Sequence, residues 1–165
     1  MVVFDSSVLI DLFNDKLAGD KRAKLDDLIQ SLGKQRTKIL IPTPVLTEWM
    51  AKAGTARDGY FQRINAQSMF RIAPFATKAA MECALLLDSA KTTGDKRQGA
   101  KTWAKAKFDW QIACIAKAEG ATTIYSDDDD VARVGKRLNV KVVKIDDLPL
   151  PEAAKQGILD LSPLQ

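Results

Sequence analysis

The stretch Lys107–Val131, KFDWQIACIAKAEGATTIYSDDDDV, constrains the fold more than any other part of this 165-residue chain. Phe108, Ile112, Ile115 and Ala116 recur at helical spacing as an inward apolar stripe, and Gly120 supplies a stop. The spacing predicts a helix with Asp109 in its first turn. A β-branched and aromatic run, Thr122 to Tyr125, follows and reads as a buried strand. That strand delivers Ser126 and four consecutive aspartates, Asp127 to Asp130, at its carboxyl end. Ligands of open parallel α/β sheets bind just beyond the carboxyl ends of strands. Acids placed there, beside a core, point to a divalent-cation site.

The same grammar recurs upstream. Val2-Val3-Phe4 is a short strand, and Asp5-Ser6-Ser7 follows it before a helical stripe of Val8, Leu9, Leu12 and Phe13. Asp5 therefore sits at a strand–helix junction, where capping the helix is the competing explanation. Ala23 to Leu32 marks a second helix closed by Gly33, and Ile39-Leu40-Ile41 a second strand. Thr43 and Pro44 then read as an N-cap and first helical position. Glu48 is an acid one turn inside that otherwise apolar helix, either functional or an exposed i,i+4 partner of Lys52. Tyr60, Phe61 and Ile64 give a further inward stripe, Phe70 to Ala73 a third strand, and Val140 to Ile145 a fifth. The helix containing Ala80, Met81, Ala84, Leu85 and Leu87 is apolar nearly all round, so burial on more than one side is expected. Alternating strands and helices predict a three-layer α/β/α sandwich with a five-stranded, mostly parallel sheet.

One composition figure narrows the chemistry. The chain contains no histidine, which removes Ser-His-Asp and Cys-His triads, histidine acid–base catalysis and histidine metal ligation. Hydrolytic chemistry must then rest on carboxylates, with a hard oxygen-seeking cation such as Mg²⁺ or Mn²⁺. Cys83 and Cys114 stand singly in apolar helical patterns and read as core packing. No apolar run reaches membrane-spanning length, and the opening MVVFDSS lacks a secretion signal, so a cytoplasmic protein without a membrane partner is expected. A net charge of +4 permits a nucleic-acid partner without requiring one. The basic segment from Lys91 to Lys107 is the better indication: Lys96, Arg97 and Lys101, with Trp103 close by, suit a nucleic-acid backbone and a stacked base. A solvated helix face is the alternative. Residues 94–102 imitate a phosphate-binding loop, but the lysine is one position late and no strand precedes Gly94.

Four short segments in order, VVFDSSVLIDLF, IPTPVLTEWM, KFDWQIACIAKAEGATTIYSDDDDV and VKVVKI, resemble the PIN domain family and, within it, the VapC-type toxin ribonucleases. The resemblance implies a nuclease domain over residues 1–148, with 149–165 as a tail packed on it. It implies that Asp5, Glu48, Asp109 and Asp128 form the catalytic set, with Asp5, Asp109 and Asp128 on the metal. Asp128 is chosen because that acid usually lies two residues after the hydroxyl residue of the last motif, here Ser126. Ser6, Ser126, Asp127 and Asp130 are then supporting residues, and Val131 departs from the aromatic common there. The implied activity is Mg²⁺- or Mn²⁺-dependent cleavage of RNA, the implied partners a cognate antitoxin and a second copy in a homodimer. Leu46, Trp49, Met50, Tyr60 and Phe61 offer candidate contact surface. Two other readings remain: a non-catalytic RNA- or partner-binding module, and a metal-dependent phosphatase. A phosphatase of the haloacid dehalogenase type needs a second aspartate at the position of Ser7.

Overall fold

Five short strands form the centre of the computed structural model, which describes residues 1–92 and 102–159. They are β1 (Val2–Phe4), β2 (Ile39–Pro42), β3 (Phe70–Ala73), β4 (Thr123–Tyr125) and β5 (Lys141–Val143). Every residue of β1 and β2 is buried, as expected of strands covered on both faces. The order is β3-β2-β1-β4-β5, and every pair is parallel. Val3 of β1 stands opposite Leu40 on one side and Ile124 on the other, and all three are fully buried. Each such aliphatic side chain contributes about 1.5–3 kcal/mol when fully buried.

The helices are α1 (Ser6–Leu12), α2 (Gly19–Lys34), α3 (Thr43–Lys52), α4 (Arg57–Asn65), α5 (Thr77–Thr92), α6 (Trp103–Ala118), α7 (Asp129–Arg137) and α8 (Glu152–Leu159). Right-handed crossovers place α1–α4 on one face, while the chain moves outward from β1 to β3, and α5–α7 on the other. The packing agrees: α1 lies on α2 and α3, and α6 lies on α5 and α7. The expected sandwich is present. Among the described residues, no helix is long and apolar enough to cross a membrane. Cys83 of α5 and Cys114 of α6 are both buried free thiols, as core packing requires.

Several local expectations need correction. Helix α6 begins at Trp103, capped by the Thr102 hydroxyl that accepts from the Lys105 N–H, so Asp109 lies in its second turn rather than its first. Phe108 is 42% exposed rather than inward. Helix α2 continues through Gly33, and the left-handed residue beyond it is Arg36. Thr43 is already helical, with Pro42 in the capping position. Met81 and Leu85 are exposed, because α5 buries only the face of Ala79, Cys83, Leu86 and Ala90. Phe61 is exposed too, whereas Trp49 is buried, stacked on Tyr60 at 5.3 Å with Phe13 against both rings. Trp49 thus belongs to the core and offers no partner surface. Gly120, with φ of 68°, does end α6 as expected.

One glycine is held by space rather than by backbone conformation. A Cβ on Gly135 of α7 would stand 2.5 Å from Val142 Cγ2 and 3.0 Å from the Val140 carbonyl oxygen. Neither a valine methyl in the sheet nor a backbone oxygen can yield cheaply, so Gly135→Ala is expected to cost about 1–3 kcal/mol by overpacking. A urea midpoint unchanged from wild type would show that α7 lifts off β5 without cost.

Candidate active site

The direction of the crossovers reverses between β1 and β4: the chain leaves β1 toward β2, but leaves β4 toward β5. The helices that follow diverge to opposite faces and open a crevice at the strands' carboxyl ends. Asp5 leaves β1 and Ser126 to Asp128 leave β4 at this point, their backbones joined by the Asp5 N–H donating to the Tyr125 carbonyl at 3.0 Å. Glu48 arrives on α3 and Asp109 on α6. All four acids, Asp5, Glu48, Asp109 and Asp128, line one cavity of about 580 Å³.

Hydroxyl groups hold the two carboxylates nearest β1. The Ser126 hydroxyl, fully buried, donates to Asp5 Oδ2 at 2.7 Å, and Ser6 donates to Glu48 Oε2 at 2.9 Å. Asp5 and Asp109 are themselves buried, at 4% and 6% exposure. Burial pushes the Asp5 pKa up despite the Ser126 hydrogen bond, with Glu48 and Asp128 adding to the rise. Burial likewise pushes Asp109 up to about 6, with Lys105 opposing and Asp128 reinforcing the shift. Glu48 goes the other way: burial favours a rise, but hydrogen bonds from Lys52 and Ser6 hold it below the ordinary value. It pairs with Lys52 at 2.8 Å across one helical turn and also faces the cavity.

The four consecutive aspartates have four different surroundings. Asp127 turns away, accepting from Lys21 at 2.8 Å and from the Ile145 N–H at 3.2 Å. Asp128 caps α7, accepting from the Asp130 N–H at 2.8 Å, and presents Oδ2 to Lys105 at 2.8 Å. Asp129 is exposed and pairs with Lys144. Asp130 pairs with Lys105 and Arg133. Of the run, Asp128 alone reaches the cavity that holds the other three acids.

Two cations beyond the expected residues, Lys52 and Lys105, also line the cavity. The Lys105 ammonium lies among Asp128, Asp130 and Asp109, the last at 3.5 Å; burial opposes its charge, but Asp128 and Asp109 keep its pKa raised. Each lysine stands four residues from an acid of the site, and that spacing was a legible signal. The expected RNA-binding residues Lys96, Arg97 and Lys101 lie outside the described residues, and so does the side chain of Trp103.

Oxygen-only donors around one cavity suit a hard cation. Among the described residues no three acids stand as a closed coordination shell, and the Lys52 and Lys105 ammonium groups pair with Glu48 and Asp128.

A parallel sandwich with an acidic pocket at its strand reversal defines a class of α/β proteins, which family comparison sharpens. The chain belongs to the PIN domain family, whose model matches residues 2–137. Among solved structures, it is similar to VapBC2 from Rickettsia felis bound to a promoter DNA fragment, at 17% identity and a TM-score of 0.62, covering 87% of this chain and 98% of that one. DNA-bound VapBC from Salmonella typhimurium gives 13% identity and a TM-score of 0.56, covering 87% and 97%. VapC20 of Mycobacterium tuberculosis, a toxin that cleaves the sarcin-ricin loop, gives 13% and 0.56, covering 82% and 95%. No curated protein sequence matches. At these identities the solved structures speak for the fold.

Proposed function

We propose that this chain is a Mg²⁺- or Mn²⁺-dependent endoribonuclease and the toxin of a toxin–antitoxin pair. The observation that carries the reading is the convergence of Asp5, Glu48, Asp109 and Asp128 on one cavity at the strand reversal. Asp5, Asp109 and Asp128 are the residues that would hold the cation. A divalent cation bound there supplies an acidified water and neutralises charge on the phosphate oxygens. The chain's own groups do the rest. Ser126 fixes the rotamer of Asp5, and Ser6 with Lys52 fixes Glu48, whose depressed pKa keeps it anionic and able to orient a nucleophilic water. Lys52 and Lys105 bring positive charge to a phosphodiester entering the cavity. The VapBC assemblies among its structural neighbours support an antitoxin partner, and a homodimer belongs to the same reading.

Cleavage of an unstructured RNA in Mn²⁺ or Mg²⁺, abolished by EDTA, is the expected result. Turnover of simple phosphate monoesters with RNA left intact would replace the nuclease with a phosphatase. Ser7 opposes that outcome, since its hydroxyl faces Asp5 Oδ2 at 3.4 Å where a phosphatase of that type has a second aspartate.

The aspartate register has its own test. Asp128→Asn is expected to slow cleavage by about 100-fold, a loss of about 2.7 kcal/mol in transition-state stabilisation. Its melting temperature should hold, because asparagine caps a helix as well as aspartate. Asp127→Asn should do the reverse, losing about 1 kcal/mol or less of stability with its Lys21 pair while cleaving within a few-fold of wild type. Equal activity losses in the two variants would assign the run a diffuse electrostatic role.

A further inference from the structure

The acid-lined cavity has a second wall that the hydrolytic chemistry does not use. Ile10 of α1, Ala51 of α3, and Ala104 and Phe108 of α6 line it beside the carboxylates. Among the described residues seven large apolar side chains are left exposed, and two of them, Ile10 at 36% and Phe108 at 42%, meet here. Phe108 follows the helical period but is not drawn into the core. It immediately precedes Asp109, which is buried, so the aromatic ring is carried on the same helical turn as a site acid. Two small residues, Ala51 and Ala104, line the same cavity.

A ligand that fills this cavity must present an anion to the lysines and cation site and a flat apolar group to the wall. A nucleotide within a single strand has both. Resting on the nuclease reading above, we infer that Phe108, with Ile10, forms a stacking subsite for the nucleobase flanking the scissile phosphate. The wall offers little to read base edges: Thr47 lines it, but its hydroxyl is donated to the Thr43 carbonyl at 2.9 Å. The subsite therefore accepts any base through its π-face and prefers purines over pyrimidines by stacking area, without a hydrogen-bonded code. Double-stranded RNA, whose bases are already stacked, is excluded from it.

The test uses the full chain and a short unstructured RNA carrying a fluorophore. Binding is read by anisotropy in Mn²⁺, with Asp5→Asn as the background that stops cleavage. Phe108→Ala should weaken binding about tenfold, in the range seen when a base-stacking aromatic is removed. Phe108→Trp should retain affinity, while Phe108→Leu, which keeps an apolar side chain but loses the π-face, should behave as alanine does. Replacing the bases of the RNA by abasic sites should weaken binding to the parent and cost much less in Phe108→Ala, since a subsite without a base code lets the strand dock in any register. An abasic penalty undiminished in Phe108→Ala, or leucine binding as tightly as phenylalanine, overturns the subsite. Cleavage by wild type in Mn²⁺ is scored separately. Phe108-dependent binding without cleavage would sink the nuclease reading and leave the subsite standing; cleavage indifferent to Phe108 would do the opposite.

Discussion

Asp109→Asn is expected to slow RNA cleavage by at least ~100-fold, and Asp5→Asn to do the same, each equivalent to about 2.7 kcal/mol of transition-state stabilisation. The two residues are buried, yet neither is engaged in a close ion pair that would explain burial by itself. Asp5 accepts hydrogen bonds from Ser126 and Ser7, and Asp109 has Lys105 only at 3.5 Å. Charges held in a core without such compensation are costly, so their positions at the cavity wall call for a function. Asparagine is nearly isosteric and removes only the charge and the acid–base capacity. The measurement is single-turnover cleavage with Mn²⁺ in excess, on protein whose melting profile confirms the fold. Wild-type rates in either variant would remove that residue from the mechanism.

The second large effect is on stability. In EDTA the folded protein holds Asp5 and Asp109 at raised pKa values, Asp109 at about 6. A raised carboxyl pKa means that the native state binds the proton more tightly than the unfolded chain. The stabilisation from Asp109 is thus full below its unfolded pKa of about 4 and is lost as pH rises toward 6. The melting temperature of wild type relative to Asp109→Asn should therefore fall between about pH 4 and 6, and the mutant baseline at neutral pH should be level or higher. Divalent cation reverses this in wild type alone. At 100 times its Kd a ligand adds about 2.7 kcal/mol, or roughly 5–10 °C for a chain of this size. Lys105→Gln, which takes the ammonium from among Asp109, Asp128 and Asp130, should lower the EDTA melting point and widen the gain on adding Mn²⁺. A wild-type melting point indifferent to millimolar Mn²⁺ or Mg²⁺ would argue against a cation site at this cavity.

Much of the site was legible because acids in apolar contexts stand out. Asp5 and the aspartate run each follow a β-branched strand, and Glu48 interrupts an otherwise apolar turn. Phe108 and Asp109 show the limit of that reading. A helix beginning at Lys107 would put the acid in a first turn and the ring inward. Thr102 instead caps the helix further upstream, and the ring emerges in the cavity. Periodicity fixes spacing along a helix, but it does not say which neighbour covers a given face. The exposed Met81 and Leu85 of α5 have the same cause, since α5 packs its Ala79–Cys83–Leu86 face inward and leaves the opposite one open.

The sequence by itself determined the alternation of strands and helices and a mostly parallel sheet, since short runs rich in β-branched and aromatic residues alternating with helices can be buried in few other ways. It also restricted the chemistry to carboxylates and hard cations, through the absence of histidine. Only the tertiary structure decided which acid of 127–130 enters the cavity. Along the string the four identical side chains differ only in their spacing from Ser126, which favours Asp128 through family resemblance alone, whereas in the fold Asp127 pairs with Lys21 and Asp128, capping α7, enters the cavity of Asp5, Glu48 and Asp109. The same holds for Lys105: its spacing to Asp109 is local, but its contacts with Asp128 and Asp130 exist only because α6 packs against α7.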